Sequence, residues 1–188
     1  MRHVISALVI NEPGVLANVA GMFAARGFNI DSLVVGRTED PKLSRMTIVC
    51  IADENTLDQV KKQLAKLVPV AHVHDFMHSS YIERDLALIT VAVGPDKRSE
   101  VIEIVNLFRG KVVDVAPESL VVELAGTEDK IEALIELLRP YGIKELARTG
   151  VIAMSRGMQS ARDYGAATGP AQRKRSMDAP PAAALPPS

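Results

Sequence analysis

The sequence has no tryptophan, and only four Phe and three Tyr among 188 residues. Aromatic platforms on which bases stack are therefore scarce, which counts against single-stranded nucleic-acid binding. One cysteine, Cys50, is present, so no intrachain disulfide can form and a reducing compartment fits. No apolar run approaches the ~20 residues of a membrane span. The start of the chain lacks the layout of a signal or transit peptide, and a cytoplasmic protein is expected. Neither sign of charge is in excess: the net charge is -1, which gives no global pull toward nucleic acid or anionic membrane. The G-x-G-x-x-G, P-loop, G-x-S-x-G and H-E-x-x-H patterns are absent. No nucleophile–base pair or paired carboxylates stand out, so an enzyme has no residues to rest on.

What is present is a 47% hydrophobic chain, ordinary for a globular protein and long enough for one or two small domains with an aliphatic core. Arg2 to Ile10 alternates as a strand, with Val4, Leu8 and Ile10 on one face and small or polar residues between. A helix is expected from Gly14 to Arg26, its stripe being Leu16, Val19, Ala20 and Phe23. Gly27 stops it. Strands follow over Phe28–Gly36 and Met46–Ile51, around the turn "TEDPK". Asn55 or Thr56 should cap a helix bearing Leu57, Val60, Leu64 and Leu67, and Val68–Phe76 is a fourth strand.

That order then repeats. Arg84–Val93 reads as a strand, and Val101, Ile104, Val105 and Phe108 mark a helix that Gly110 stops. Lys111–Ala116 and Leu120–Leu124 are strands. Thr127 caps a helix with Ile131, Leu134, Ile135 and Leu138, and Ile143–Ala153 closes the unit as one strand. "RGFNID" (26–31) aligns with "RGKVVD" (109–114). The class is α+β, with two ferredoxin-like βαββαβ domains over 1–77 and 81–157. From 158 to 188 the periodicity ends. Five of the eleven prolines fall there, and a disordered Ala/Pro-rich tail is expected. "RKR" at 173–175 fits a solvated segment or a weak electrostatic contact.

"NEPGVLANVAGMFAARGFNID" (11–31) carries the binding chemistry. A helix's first turn offers unpaired N–H groups and a positive dipole end to a carboxylate. Pro13 and Gly14 fall at that turn, and Gly14 lets a backbone approach a ligand. Asn11 and Asn29 are amides that pair with a carboxylate or an ammonium. Val15, Leu16 and Ile30 add apolar surface. Together these groups suit a free amino acid. The same residues also suit a plain turn with an Asn cap, a Pro start and a Gly stop. A helix of about 13 residues separates the two amides by roughly 20 Å. One ligand reaches both only if a two-fold axis brings Asn11 of one copy to Asn29 of another.

"NEPGVLANVAGMFAARGFNIDSL" with "DPKLSRMTIV" resembles the ACT domain that opens the small regulatory subunit of acetohydroxyacid synthase (acetolactate synthase). "FRGKVVDV", "LAGTEDKIEAL" and "ARTGVIAMSRG" resemble that family's C-terminal domain, so the likeness spans 1–157. It implies a non-catalytic subunit in branched-chain amino-acid biosynthesis. The implied partner is a large catalytic subunit using thiamine diphosphate, magnesium and FAD. The small subunit itself is expected to need no cofactor or metal. It would form a homodimer, activate the large subunit and confer feedback inhibition by valine, leucine or isoleucine. The effector would lie between paired ACT domains, on Asn11, Gly14, Val15 and Leu16 of one chain and Asn29 and Ile30 of the other. The tail has no counterpart in the family pattern.

Four other readings of these residues stand beside this one. His72, His74 and His78 form H-x-H-x3-H, which puts 72 and 74 on one side of a strand; surface histidines or a metal site would give that pattern. Cys50 fits an inert core residue better than a nucleophile. RNA-recognition domains share the βαββαβ order but stack bases on aromatics of the central strands; "ISALVI" and "RMTIVC" have none. A stand-alone amino-acid sensor would explain the first half but not the second. In the repeat, Asn29 aligns with Val112 and Asn11 roughly with Gly94. The second domain is thus expected not to bind effector, but to serve dimerisation and large-subunit contact.

Overall fold

The computed structural model describes residues 1–157; the expected disordered tail, 158–188, lies outside them. Strand β1 (Arg2–Ile10), helix α1 (Val15–Ala25), strands β2 (Ser32–Arg37) and β3 (Leu43–Ile51), helix α2 (Glu54–Leu64) and strand β4 (Val70–Asp75) form the first unit. They make an antiparallel sheet in the order β2-β3-β1-β4. The second unit has β5 (Tyr81–Ala92), α3 (Arg98–Leu107), β6 (Lys111–Ala116), β7 (Ser119–Gly126), α4 (Glu128–Leu138), β8 (Ile143–Arg148) and β9 (Ile152–Ser155). Its order is β6-β7-β5-β8, with β9 added against β5. These are two ferredoxin-like, ACT-type folds, as the repeated pattern predicts.

Each sheet buries one face under its two helices. In the first, Ile5, Ala7 and Val9 meet Val15, Val19, Met22 and Phe23 of α1 and Leu57, Val60 and Leu64 of α2. The apolar face that Val4, Leu8 and Ile10 mark is therefore not the one under the helices. That set turns away from the helices: Val4 joins a separate cluster with Val151 and Ala153, and Ile10 is 37% exposed. Both faces of β1 are buried because the second unit covers part of the far side. A strand buried on both faces loses the alternation that identifies its core side. The α1 stripe is rotated likewise. It runs Val15, Val19, Met22, Phe23, and Leu16 is left 46% exposed.

Local chemistry moved several boundaries. Asp53, not Asn55 or Thr56, caps α2: its carboxylate accepts from the Thr56 backbone N–H at 2.7 Å. The bond holds the Asp53 carboxyl below its ordinary pKa. Residues 28–31 are not strand, and β2 begins at Ser32. Val68 stands almost fully exposed before β4. Ile143–Ala153 is not one strand. It breaks at Thr149–Val151, and β9 pairs instead with the Tyr81–Arg84 stretch of β5.

Candidate functional site

The loop from β1 to α1 holds the first set of residues. The Asn11 backbone N–H donates to the Lys42 carbonyl at 2.8 Å, and Asn11 Nδ2 to the Pro41 carbonyl at 3.1 Å. The side chain thus ties its loop to the β2–β3 turn; it does not cap α1, contrary to the plain-turn alternative. Gly14 holds the N-cap position at φ 85°, with no side-chain cap. No atom lies within 4 Å of where its Cβ would be, so conformation and not crowding selects glycine. The helical ladder begins with Asn18 N–H to Gly14 O at 2.9 Å. The N–H groups of Leu16 and Ala17 in the turn before it point out of the helix end, beside exposed Gly14.

Val15 is 6% exposed and its side chain lies in the core, so only its backbone is available at this surface. Leu16 is the apolar side chain that faces outward.

At the other end of α1, Gly27 takes φ 66° and Phe28 N–H returns to the Phe23 carbonyl at 3.0 Å. This reversal leaves Asn29 exposed while Ile30 leans on the core. A shallow cavity of about 170 Å³ opens there, lined by Asn29, Phe28, Cys50 and Val60 among others. Burial pushes the Cys50 thiol up in pKa, which keeps it protonated and unreactive.

Within one chain the two sets stay apart. Asn11 sits where β1 ends, beside Lys42. Asn29 sits where β1 starts, near Ile51, the cross-strand partner of Arg2. A nine-residue strand spans about 30 Å.

His72 and His74 do share a face of β4, next to Arg45, whose guanidinium donates to Ser6 Oγ at 3.0 Å. Among the described residues, no group of three or more His, Cys, Asp or Glu is placed to hold a metal. Both imidazoles are held below their ordinary 6.5, first by burial; Arg45 adds to this at both, and His72 acts on His74. Below pH 6.5 the unfolded chain then binds more protons than the native one, so stability present above that pH is lost as pH falls. The thermal midpoint should decline from roughly pH 6.5 downward, and His72→Gln should make the decline shallower. An unchanged slope in a pH series of melts would contradict this.

Sequence reasoning missed Ser32 and Gly150, which meet between the two sheets. Val151 N–H lies 3.4 Å from Ser32 Oγ. A glycine inside a strand pattern signals a close backbone approach, and Gly150 was that signal.

Comparison with known proteins follows the same two-part division. Residues 5–72 match the family described as the AHAS small subunit-like ACT domain, and residues 84–157 the small subunit of acetolactate synthase. A probable acetolactate synthase small subunit of Archaeoglobus fulgidus is 54% identical over 157 residues, covering 84% of this chain and 98% of the relative. The acetolactate synthase small subunit of Mycolicibacterium smegmatis is 50% identical over 155 residues, covering 82% and 91%. The crystal structure of that subunit from Thermotoga maritima superposes with a TM-score of 0.77 at 43% identity, covering 84% of this chain and 98% of the other. Among the described residues, no helix is long and apolar enough to cross a membrane.

Proposed function

We propose, given that this chain belongs to the family of acetolactate synthase small subunits, that it activates a catalytic large subunit and imposes feedback inhibition by a branched-chain amino acid. The first domain (1–77) binds that effector, valine or a relative, between two copies. The second (81–157) holds the dimer and the large subunit. Thiamine diphosphate, magnesium and FAD belong to the large subunit in this reading.

One observation carries the site. The Asn11–Gly14 and Asn29–Ile30 groups lie at opposite ends of a sheet whose outer strand on one side is β2. Edge strands are templates for pairing with a second chain. If two β2 strands pair antiparallel about a two-fold axis, the start of one lies beside the end of the other. The start follows Asn29. The end approaches Thr38, whose N–H bonds to the Leu43 carbonyl, next to Lys42, which holds Asn11. The two half-sites then meet twice, once on each side of the axis. Exposed Leu16 and Val35 supply apolar surface for such an interface. The first-turn N–H groups at Gly14 take the effector carboxylate and the amides its remaining polar groups.

The second domain has Val112 where the first has Asn29, so it keeps the fold without the amide.

The test is reconstitution with the large subunit and titration of activity with valine, leucine and isoleucine. Asn29→Val should weaken effector binding by more than about tenfold in calorimetry, because a buried charged group loses its partner. Unchanged affinity would remove Asn29 from the site.

A further inference from the structure

The two sheets meet at one tight place. Between β8 and β9 the chain passes Thr149, Gly150 and Val151 against the face of β2 turned away from the helices. Gly150 has φ 83°, and a Cβ there would lie 2.6 Å from Ser32 Oγ and 2.9 Å from Val34 Cγ2. Beyond it, Val151 and Ala153 pack with Val4, Val49 and Phe76 in a small core shared by both units.

The far side of this link is fixed. The Asp85 carboxylate is fully buried and pairs with the Arg148 guanidinium at 2.6 Å. It also accepts from Thr149 Oγ1 at 3.2 Å and from the Gly150 N–H at 3.1 Å. Thr149 N–H donates to the Leu86 carbonyl at 3.0 Å, and Leu86 N–H to Thr149 Oγ1 at 3.1 Å. The link therefore moves with the second sheet.

Strand β2 belongs to both places. Asn29 and Ile30 lead directly into it. Its alternate residues divide the work: Leu33 packs under the helices, while Ser32 and Val34 face Gly150. The geometry points to the contact of Ser32 and Val34 with Gly150 as the place where effector occupancy is passed to the second domain. The inference rests on the effector site proposed above and names how that site is read. The contact is tight: a methyl group on Gly150 would have to displace Ser32 Oγ and Val34 Cγ2. A shift of β2 toward the link must push it, and a shift away breaks the Val151–Ser32 contact. Close-packed seams switch between discrete arrangements and do not stretch. An effector acts only by favouring one of those arrangements.

The test separates binding from response, using the full chain and its complex with the large subunit, with valine as the probe. Gly150→Ala should bind valine within about threefold of the wild-type affinity, yet lose at least about half of the maximal inhibition at saturation. Full inhibition in this variant would overturn the inference. So would a loss of binding as large as the loss of inhibition, because the contact would then belong to the site itself. If Gly150→Ala does not fold, Ser32→Ala decides. It removes the atom nearest to where a Gly150 Cβ would lie, and the same split is expected at smaller amplitude; full inhibition there overturns the inference. Asn29→Val keeps the two claims distinct. Unchanged affinity in Asn29→Val sinks the effector site and this inference with it. Weakened binding there, with Gly150→Ala fully inhibited, sinks the seam alone.

Discussion

Gly14→Asp should leave the complex with the large subunit insensitive to valine. The substitution sets a carboxylate at the helix end that, in the proposed site, would receive the effector's own carboxylate. Two like charges a few ångströms apart in a partly desolvated site repel by enough to weaken binding at least about thirtyfold, or ~2 kcal/mol. The fold should survive. No atom lies within 4 Å of the added Cβ, and aspartate visits the left-handed conformation at φ 85° more readily than most residues. Gly14→Ala is the control: it carries the backbone strain without the charge and should lose much less affinity. Co-elution with the large subunit shows that the variant is folded and still assembles. A Gly14→Asp chain that remains fully valine-sensitive would place the site elsewhere.

Asp85→Ala should produce the largest loss of stability. The Asp85 carboxylate is buried and ends a network of Arg148, Thr149 and Gly150. Arg148 keeps Glu132 as a partner, and Glu128 at 3.8 Å. Removing the buried member of such a pair costs about 3 kcal/mol, because the Gly150 N–H loses its acceptor and Arg148 is left with only its more exposed partners. For a chain of this size that lowers the thermal midpoint by roughly 6–12 °C. Asp85→Asn, which keeps the shape and some acceptors, should lose less. A midpoint within a degree of wild type for Asp85→Ala would show that the network contributes little.

The two βαββαβ units were legible because helix and strand periods, glycine stops and the RGFNID/RGKVVD repeat agree at every level. The inward face of β1 was not. With Val4 and Val49 covered by Val151 and Ala153, seven consecutive residues of β1 are buried, and periodicity carries no sign of which side meets the helices. The α1 stripe slipped by one position for a related reason: Val15, Leu16, Val19 and Ala20 offer two overlapping apolar stripes, and only packing chooses Val15. That choice turned Leu16 outward, where it is free for another chain. The break at Thr149–Val151 was hidden because both flanking segments look like strand; Gly150 was its one mark. At the site, that Asn11 and Asn29 lie apart followed from helix length, roughly 20 Å, and the length of β1 sets them further apart, at about 30 Å. The role of Asn11 in tying its loop to Pro41 had no local signal, since the partner is 30 residues away.

Whether each effector site is shared between two chains is measured directly by a mixing experiment. Asn11→Ala and Asn29→Val chains are each titrated with valine by calorimetry, then dissociated, mixed in equal amounts and titrated again. If each site takes Asn11 from one chain and Asn29 from the other, every mixed dimer regains one intact site. Wild-type affinity should then return at about one site per four chains. If each site lies within a single chain, every chain in the mixture is damaged, and no wild-type-affinity binding would return.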